Sequence, residues 1–192
     1  MMPPLLFLDT ETTGFKAPHA IQIAYAKMEY GKEEVETRNA YYRPPIAIEP
    51  GASAVHGIAD DDLCDLASLP ETTDHDALQE LMLRSIIVCH NTEYDLAVLG
   101  NDGLTPVQWI CTLRVARKLF PGLQSYKLQV LRQYLRLDPL RTSSAHDALG
   151  DVTIMILLFK ELWRKGMTAM AGTDGEKERA KKVLHWFISL SR

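Results

Sequence analysis

No stretch of this 192-residue chain approaches the roughly 20 consecutive apolar residues that a membrane span needs. Its opening, MMPPLLFLDTETTGF, has neither the basic start nor the long apolar core of a secretory signal, so a cytoplasmic protein is expected. Cysteine is scarce. The three present, Cys64, Cys89 and Cys111, are an odd number without the spacing of a metal site. They read as reduced thiols of a cytosolic protein, with Cys89 and Cys111 expected as packing residues in apolar, strand-like runs. Internal repeats, low-complexity tracts and disorder-biased composition are missing too, and the length suits one domain with a full core.

Excess positive charge is also lacking. The formal net charge is −4, which taken alone argues against a nucleic-acid partner. Its distribution says more. Residues 1–109 carry 18 acids and six basic residues, whereas 114–141 carry seven basic residues and one acid, Asp138. An acidic chain with one basic segment fits a phosphate-binding wall beside an acidic centre, with Arg114, Arg117 and Lys118 as candidates to steer phosphates. A solvated helix face is the plainer reading of the same run.

Periodicity predicts strands over 4–9, 20–29 and 35–43, with a turn at EYGKEE, hence an antiparallel meander. Helices are expected at DDDLCDLASL and DHDALQELMLR, then a buried strand SIIVCHN, a short helix YDLAVLG and a strand VQWICT. Two helices follow at about 112–119 and 127–136. A longer helix, apolar nearly all round, is expected from Ser144 to Arg164. GMTAMAGTDG reads as a linker, so 1–165 and 166–192 are separated as a main domain and a tail. The tail's last helix carries a stripe of Ala180, Val183, Leu184, Phe187 and Ile188 that is expected to pack on the same domain. The class is α/β, three antiparallel strands followed by strands alternating with helices.

Three segments carry chemistry. In LFLDTE, side chains two apart share a face, so Asp9 and Glu11 project together at the exit of a buried strand. Two carboxylates about 4 Å apart repel by roughly 4 kcal/mol at an effective dielectric of 20. Protonation relieves that, and at neutral pH a divalent metal does so more commonly. In HNTEYD, Asp95 falls near a helix start, where a helix cap is the structural alternative. In SSAHDALGD, His146 and Asp151 are five apart and differ by about 140° on one helix. They meet at one site only if His146 lies in the loop or irregular first turn; a capping histidine with a solvated aspartate is the alternative.

At DTETTG, HNTEYD and HDALGD, in this order, the chain resembles the DEDDh (DnaQ-like) family of 3′→5′ exonucleases, whose D-x-E, H-N-x-x-[FY]-D and H-x-A-x-x-D motifs are each matched. VHGI (Val55 to Ile58) matches a further family segment, and WICTLRVARKLFPG looks closest to the exodeoxyribonuclease X branch. The resemblance covers about residues 5–163. Gln22 departs from the glutamate of many relatives, and Cys111 from the aspartate of proofreading subunits.

The resemblance implies a ribonuclease H-like mixed sheet with helices on both faces. It implies two Mg²⁺ or Mn²⁺ ions held by Asp9, Glu11, Asp95 and Asp151, with Asp9 bridging both ions, Glu11 and Asp151 on the nucleophile-side ion and Asp95 on the other. His146 would be the general base, and 5′-mononucleotides the product. Thr12, Thr13, Phe15, His56 and Tyr94 match positions around the substrate's terminal nucleotide; for Phe15 and Tyr94 partial core burial is the alternative, for His56 a turn role. A DNA 3′ end, single-stranded or frayed, is the expected partner. An RNA trimmer of the ribonuclease T or oligoribonuclease kind and a non-catalytic nucleic-acid-binding or polymerase-docking module stay open. A polymerase partner and the oligomeric state do not follow from the residues.

Overall fold

The computed structural model describes residues 2–32, 35–137, 147–172 and 174–192. Strands β1 (Leu5–Thr12), β2 (Ala20–Met28) and β3 (Val35–Tyr41) pair antiparallel as the meander requires. Strands β4 (Ile86–Cys89) and β5 (Trp109–Cys111) add on parallel to β1, giving the order β3-β2-β1-β4-β5. The helices are α1 (Pro50–His56), α2 (Asp60–Leu63), α3 (Thr73–Arg84), α4 (Thr92–Asn101), α5 (Thr112–Leu119), α6 (Leu128–Leu135), α7 (Ala148–Ala169) and α8 (Glu176–Leu190).

Both faces of the sheet are covered, which is why β1 and β4 read as continuous apolar runs instead of alternating. Phe7, Ala24, Ala26, Val88 and Ile110 face helices α5 to α8. Leu6, Leu8, Ile23, Ile87 and Cys89 face α3 and α4. Helix α7 lies across β1 and β2 beneath α8, so its apolar perimeter is buried; Phe159 meets Phe7 edge-on at 5.3 Å and Phe187 at 6.0 Å. The α8 stripe, Ala180, Val183, Leu184, Phe187 and Ile188, is buried against the body. Beyond α8, the Ser191 hydroxyl accepts from the Cys111 N–H at 2.7 Å and the Ser191 carbonyl from Trp109 Nε1 at 3.1 Å, which ties the chain's end to edge strand β5.

Three elements differ from expectation. β1 continues past Asp9 to Thr12, so both acids belong to the strand instead of marking its exit. No element was expected at α1, where Pro50 occupies the first helical position and its missing N–H costs nothing. Helix α7 runs on to Ala169 and absorbs the first residues of the expected linker. Gly166 belongs there because α8 presses on it: a Cβ at 166 would lie 2.8 Å from Val183 Cγ1 and 3.0 Å from Phe187 Cζ. Helix packing thus overrides the small-residue signal.

Gly166→Val is therefore expected to lower stability by about 1–3 kcal/mol through overpacking. Urea unfolding followed by circular dichroism checks it; an unchanged midpoint contradicts the close α7–α8 approach.

Candidate active site

The site lies where the parallel strands end, the usual place for function in such sheets. On β1, Asp9 and Glu11 share the Phe7 face, toward α7, and each is half-buried. Thr10 between them must face the other way. Its hydroxyl donates to Asp95 Oδ1 at 3.2 Å, and so fixes the acid arriving from the opposite side of the sheet.

Asp95 is held by the turn that follows β4. Asn91 is the N-cap of α4 and takes the left-handed conformation (φ 73°, ψ 49°), which asparagine tolerates better than most residues. The helix therefore starts at Thr92, and Asp95 is an interior residue, 4% exposed, instead of the cap. His90 pins this turn: Nε2 donates to the Tyr126 carbonyl at 2.8 Å and Nδ1 lies 2.9 Å from Thr112 Oγ1. Burial pushes its pKa down to about 4, so the ring is neutral.

The third contribution comes from the start of α7. Asp147 is the N-cap, with extended backbone (φ −118°, ψ 120°), and Asp151 sits in the first turn with its N–H bonded to the Asp147 carbonyl at 3.0 Å. Gln129 Nε2 donates to Asp151 Oδ1 at 2.7 Å. His146 lies outside the described residues. Thr10 and Gln129 escaped the sequence reading, whereas Asp147 was expected as a candidate cap of this helix and is one. Thr10 had a signal, since alternation turns it away from its acidic neighbours; Gln129 had none.

The remaining candidates form a rim. The Tyr94 hydroxyl donates to the Gly14 carbonyl at 2.8 Å and lies 2.6 Å from Thr12 Oγ1, so Tyr94 clasps the loop after β1. That loop needs glycine: Gly14 has φ 144°, and a Cβ there would lie 2.3 Å from Glu49 Cδ. Thr13 is buried and bonds His19 through both its backbone N–H and its hydroxyl, while His19 Nδ1 meets Asp102 Oδ1 at 2.6 Å. His19, which has no motif around it, is thus a staple for the loop. Phe15 is 85% exposed, its ring 6.0 Å from that of Tyr94. Tyr94 is half-buried, as core packing would have it, whereas Phe15 projects into solvent. His56 accepts the Ile58 N–H on Nδ1 (3.1 Å), which leaves Nε2–H to donate to the Thr12 carbonyl (3.2 Å). Among the basic candidates, Arg114 binds Glu93 and the Arg192 carbonyl, Arg117 lies over the Tyr126 ring at 5.8 Å, and Lys118 is exposed.

The acids act on one another. Burial, then the charges of Asp95, Asp151, Glu11 and Asp147, raises the pKa of Asp9 well above its ordinary range. Burial, then Asp151, Asp147 and Asp95, raises Glu11 from 4.5 to about 8. Burial raises Asp95 to about 7 against the opposing bonds from Thr10 and its own N–H. Among the described residues no three His, Cys, Asp or Glu side chains are gathered tightly enough to hold a metal ion as they stand. What the fold supplies is a patch of carboxyl groups drawn from β1, α4 and α7.

A pH dependence follows. The unfolded chain releases the Glu11 proton near 4.5, whereas the folded protein keeps it to about 8. The folded state binds more protons in between, so this contribution to stability is complete below the lower value and is lost as pH rises through the upper one. In EDTA, Tm should fall more steeply from about pH 6 to pH 9 for the wild type than for Glu11→Gln. Equal slopes contradict the assignment.

The chain is similar to known exonucleases. The RNase T family model, described as exonuclease, matches residues 6–159. DNA polymerase III subunit epsilon of Escherichia coli (strain K12) is 28% identical over 192 residues, covering 91% of this chain and 77% of its own. Exodeoxyribonuclease 10 of the same strain is 32% identical over 120 residues, covering 62% of this chain and 50% of its own. Among solved structures, exonuclease X in complex with 5′ overhanging duplex DNA superposes with a TM-score of 0.69 at 24% identity over 93% of this chain and 99% of that one. Exonuclease I of Escherichia coli in complex with a dT13 oligonucleotide gives 0.70 at 20% identity over 88% and 42%. These likenesses show a common fold, the ribonuclease H-like exonuclease fold expected from the motifs. With the family model spanning most of its length, the chain belongs to the RNase T exonuclease family.

Proposed function

We propose that this protein is a metal-dependent 3′→5′ exonuclease that releases 5′-mononucleotides from the 3′ ends of DNA, single-stranded or frayed. One observation carries the reading: Asp95 and Asp151, from two other segments of the chain, act on Asp9 and Glu11 at the end of β1 and raise the hold of both on protons. DNA is favoured as substrate by the relatives named for acting on it, exodeoxyribonuclease 10 foremost.

The donor set fits hard divalent cations, because every candidate ligand is a carboxylate oxygen. Asp9, Glu11, Asp95 and Asp151 would hold two Mg²⁺ or Mn²⁺ ions, which supply charge to activate the attacking water and to steady the leaving 3′ oxygen. The protein's own groups do the rest. Thr10 and Gln129 each give one hydrogen bond to a carboxylate and hold it without neutralising it. His146 takes the proton of the attacking water, since imidazole titrates near neutral pH. Tyr94, fixed by Thr12 and Gly14, backs the exposed Phe15 ring, whose free face offers a stacking surface for a base, with Thr13 and His56 bracing the loop from behind. Base stacking on such a ring is worth about 1–3 kcal/mol.

Labelled DNA and RNA oligonucleotides, incubated with Mg²⁺ or Mn²⁺ and again with EDTA, test the proposal. Stepwise shortening from the 3′ end of DNA, abolished by EDTA and by Asp9→Ala, is expected. His146→Ala should lower turnover by about 10²–10⁴-fold, the usual scale for loss of a general base, with unchanged circular dichroism. Shortening of RNA alone overturns the substrate. Binding without cleavage by folded wild-type protein overturns the enzyme.

A further inference from the structure

The register of the sheet lays Glu11, Gln22 and Tyr41 side by side across β1, β2 and β3, with Asp9, Ala24 and Asn39 in the next row. Gln22 is thus the immediate cross-strand neighbour of an acid in the proposed site, and its side chain is buried at 1% exposure. Its Nε2 lies 2.9 Å from Asn39 Oδ1, 3.0 Å from Tyr41 Oη and 2.9 Å from Asp147 Oδ1. An amide has two N–H groups to offer these three oxygens.

Asp147 is where this contact matters. An aspartate at a helix N-cap ordinarily turns its side chain back onto the first free N–H groups of the helix. Here it makes no such bond, and instead gives its oxygen to Gln22 on the sheet. Its carbonyl meanwhile accepts the Asp151 N–H. The links run without a gap from β2 through Asp147 to the turn that carries Asp151, and Ala148, fully buried, seats that turn.

We propose that Gln22 is a positioning residue for the exonuclease reaction: its amide latches Asp147 and thereby sets the first turn of α7, with Asp151, over the Asp9–Glu11 face. The inference rests on the exonuclease reading above. With Asp147 as the acceptor, it requires a hydrogen-bond donor at 22. A glutamate there offers at most one proton where the amide offers two, and when ionised it has none to give Asp147 and sets a further charge beside Glu11 and Asp147. Exchanging the two functional groups restores the bond, because an asparagine amide placed at 147 donates to a glutamate carboxylate placed at 22.

Four proteins decide it: wild type, Gln22→Glu, Asp147→Asn and the double variant. Steady-state cleavage of a DNA oligonucleotide and thermal unfolding in EDTA are measured for each. Gln22→Glu is expected to lose about tenfold or more in kcat with KM nearly unchanged, since substrate binding is not what the latch serves. The double variant should return to within about threefold of wild type, a non-additivity expected only of groups in contact. Thermal unfolding should show the same pattern, a Tm loss in Gln22→Glu recovered in the double variant. Wild-type kcat in Gln22→Glu, or a double variant no better than the single, overturns the latch. Wild-type protein that cleaves nothing sinks the exonuclease reading alone, and the unfolding cycle then decides the latch: recovery supports it and additive losses overturn it. Should Gln22→Glu fail to fold, a double variant that also fails overturns it.

Discussion

Crowding of acidic side chains at the end of β1 governs this molecule. Carboxylates reach the end of β1 from the strand itself, from α4 and from α7, and among the described residues the charges that act on Asp9 and Glu11 are negative. A fold that gathers such groups while burying them raises its own energy, and protons or cations must answer for it. The sheet makes the gathering unavoidable. Parallel pairing of β1 with β4 sets their carboxyl ends side by side, and covering both faces lets one acid approach from the α4 side while α7 delivers the other.

Three of the described groups that hold the acids are uncharged. Thr10, Gln22 and Gln129 are a hydroxyl and two amides, and each fills a lone pair on an acidic side chain without cancelling its charge. An arginine or lysine in any of these places would have relieved the repulsion within the protein and removed the demand for a cation. Two basic residues of the 114–141 segment are engaged elsewhere: Arg114 at Glu93 and the Arg192 carbonyl, Arg117 over Tyr126. Neutral partners at these three places hold the acids without cancelling their charge, and that is what ties the fold to its proposed chemistry.

Much of this was legible in the residues. Alternation in LFLDTE placed Asp9 and Glu11 on one face, and the apolar runs of β1 and β4 told of a sheet covered on both sides. The long apolar α7 announced a central helix. What could not be read depended on tertiary contact. Gly166 sits inside α7 only because Val183 and Phe187 close over it. Asp95 looked like a cap because nothing local shows that Asn91 takes the left-handed turn first. Asp147 occupies a position in its motif that the pattern leaves free, and its bond to Gln22 spans residues 125 apart in the chain. Such pairings are set by strand register and helix placement, which sequence spacing does not encode.

The central claim is that the acid patch holds protons until a divalent cation displaces them. Titration calorimetry of Mn²⁺ into the EDTA-treated, then dialysed protein near pH 7, repeated in buffers of different ionisation enthalpy, tests it most directly. Glu11 and Asp95 titrate at about 8 and about 7, so binding should be accompanied by proton release, seen as a heat that changes with the buffer. Mn²⁺ uptake with a heat independent of buffer, or no uptake at all, would contradict the account.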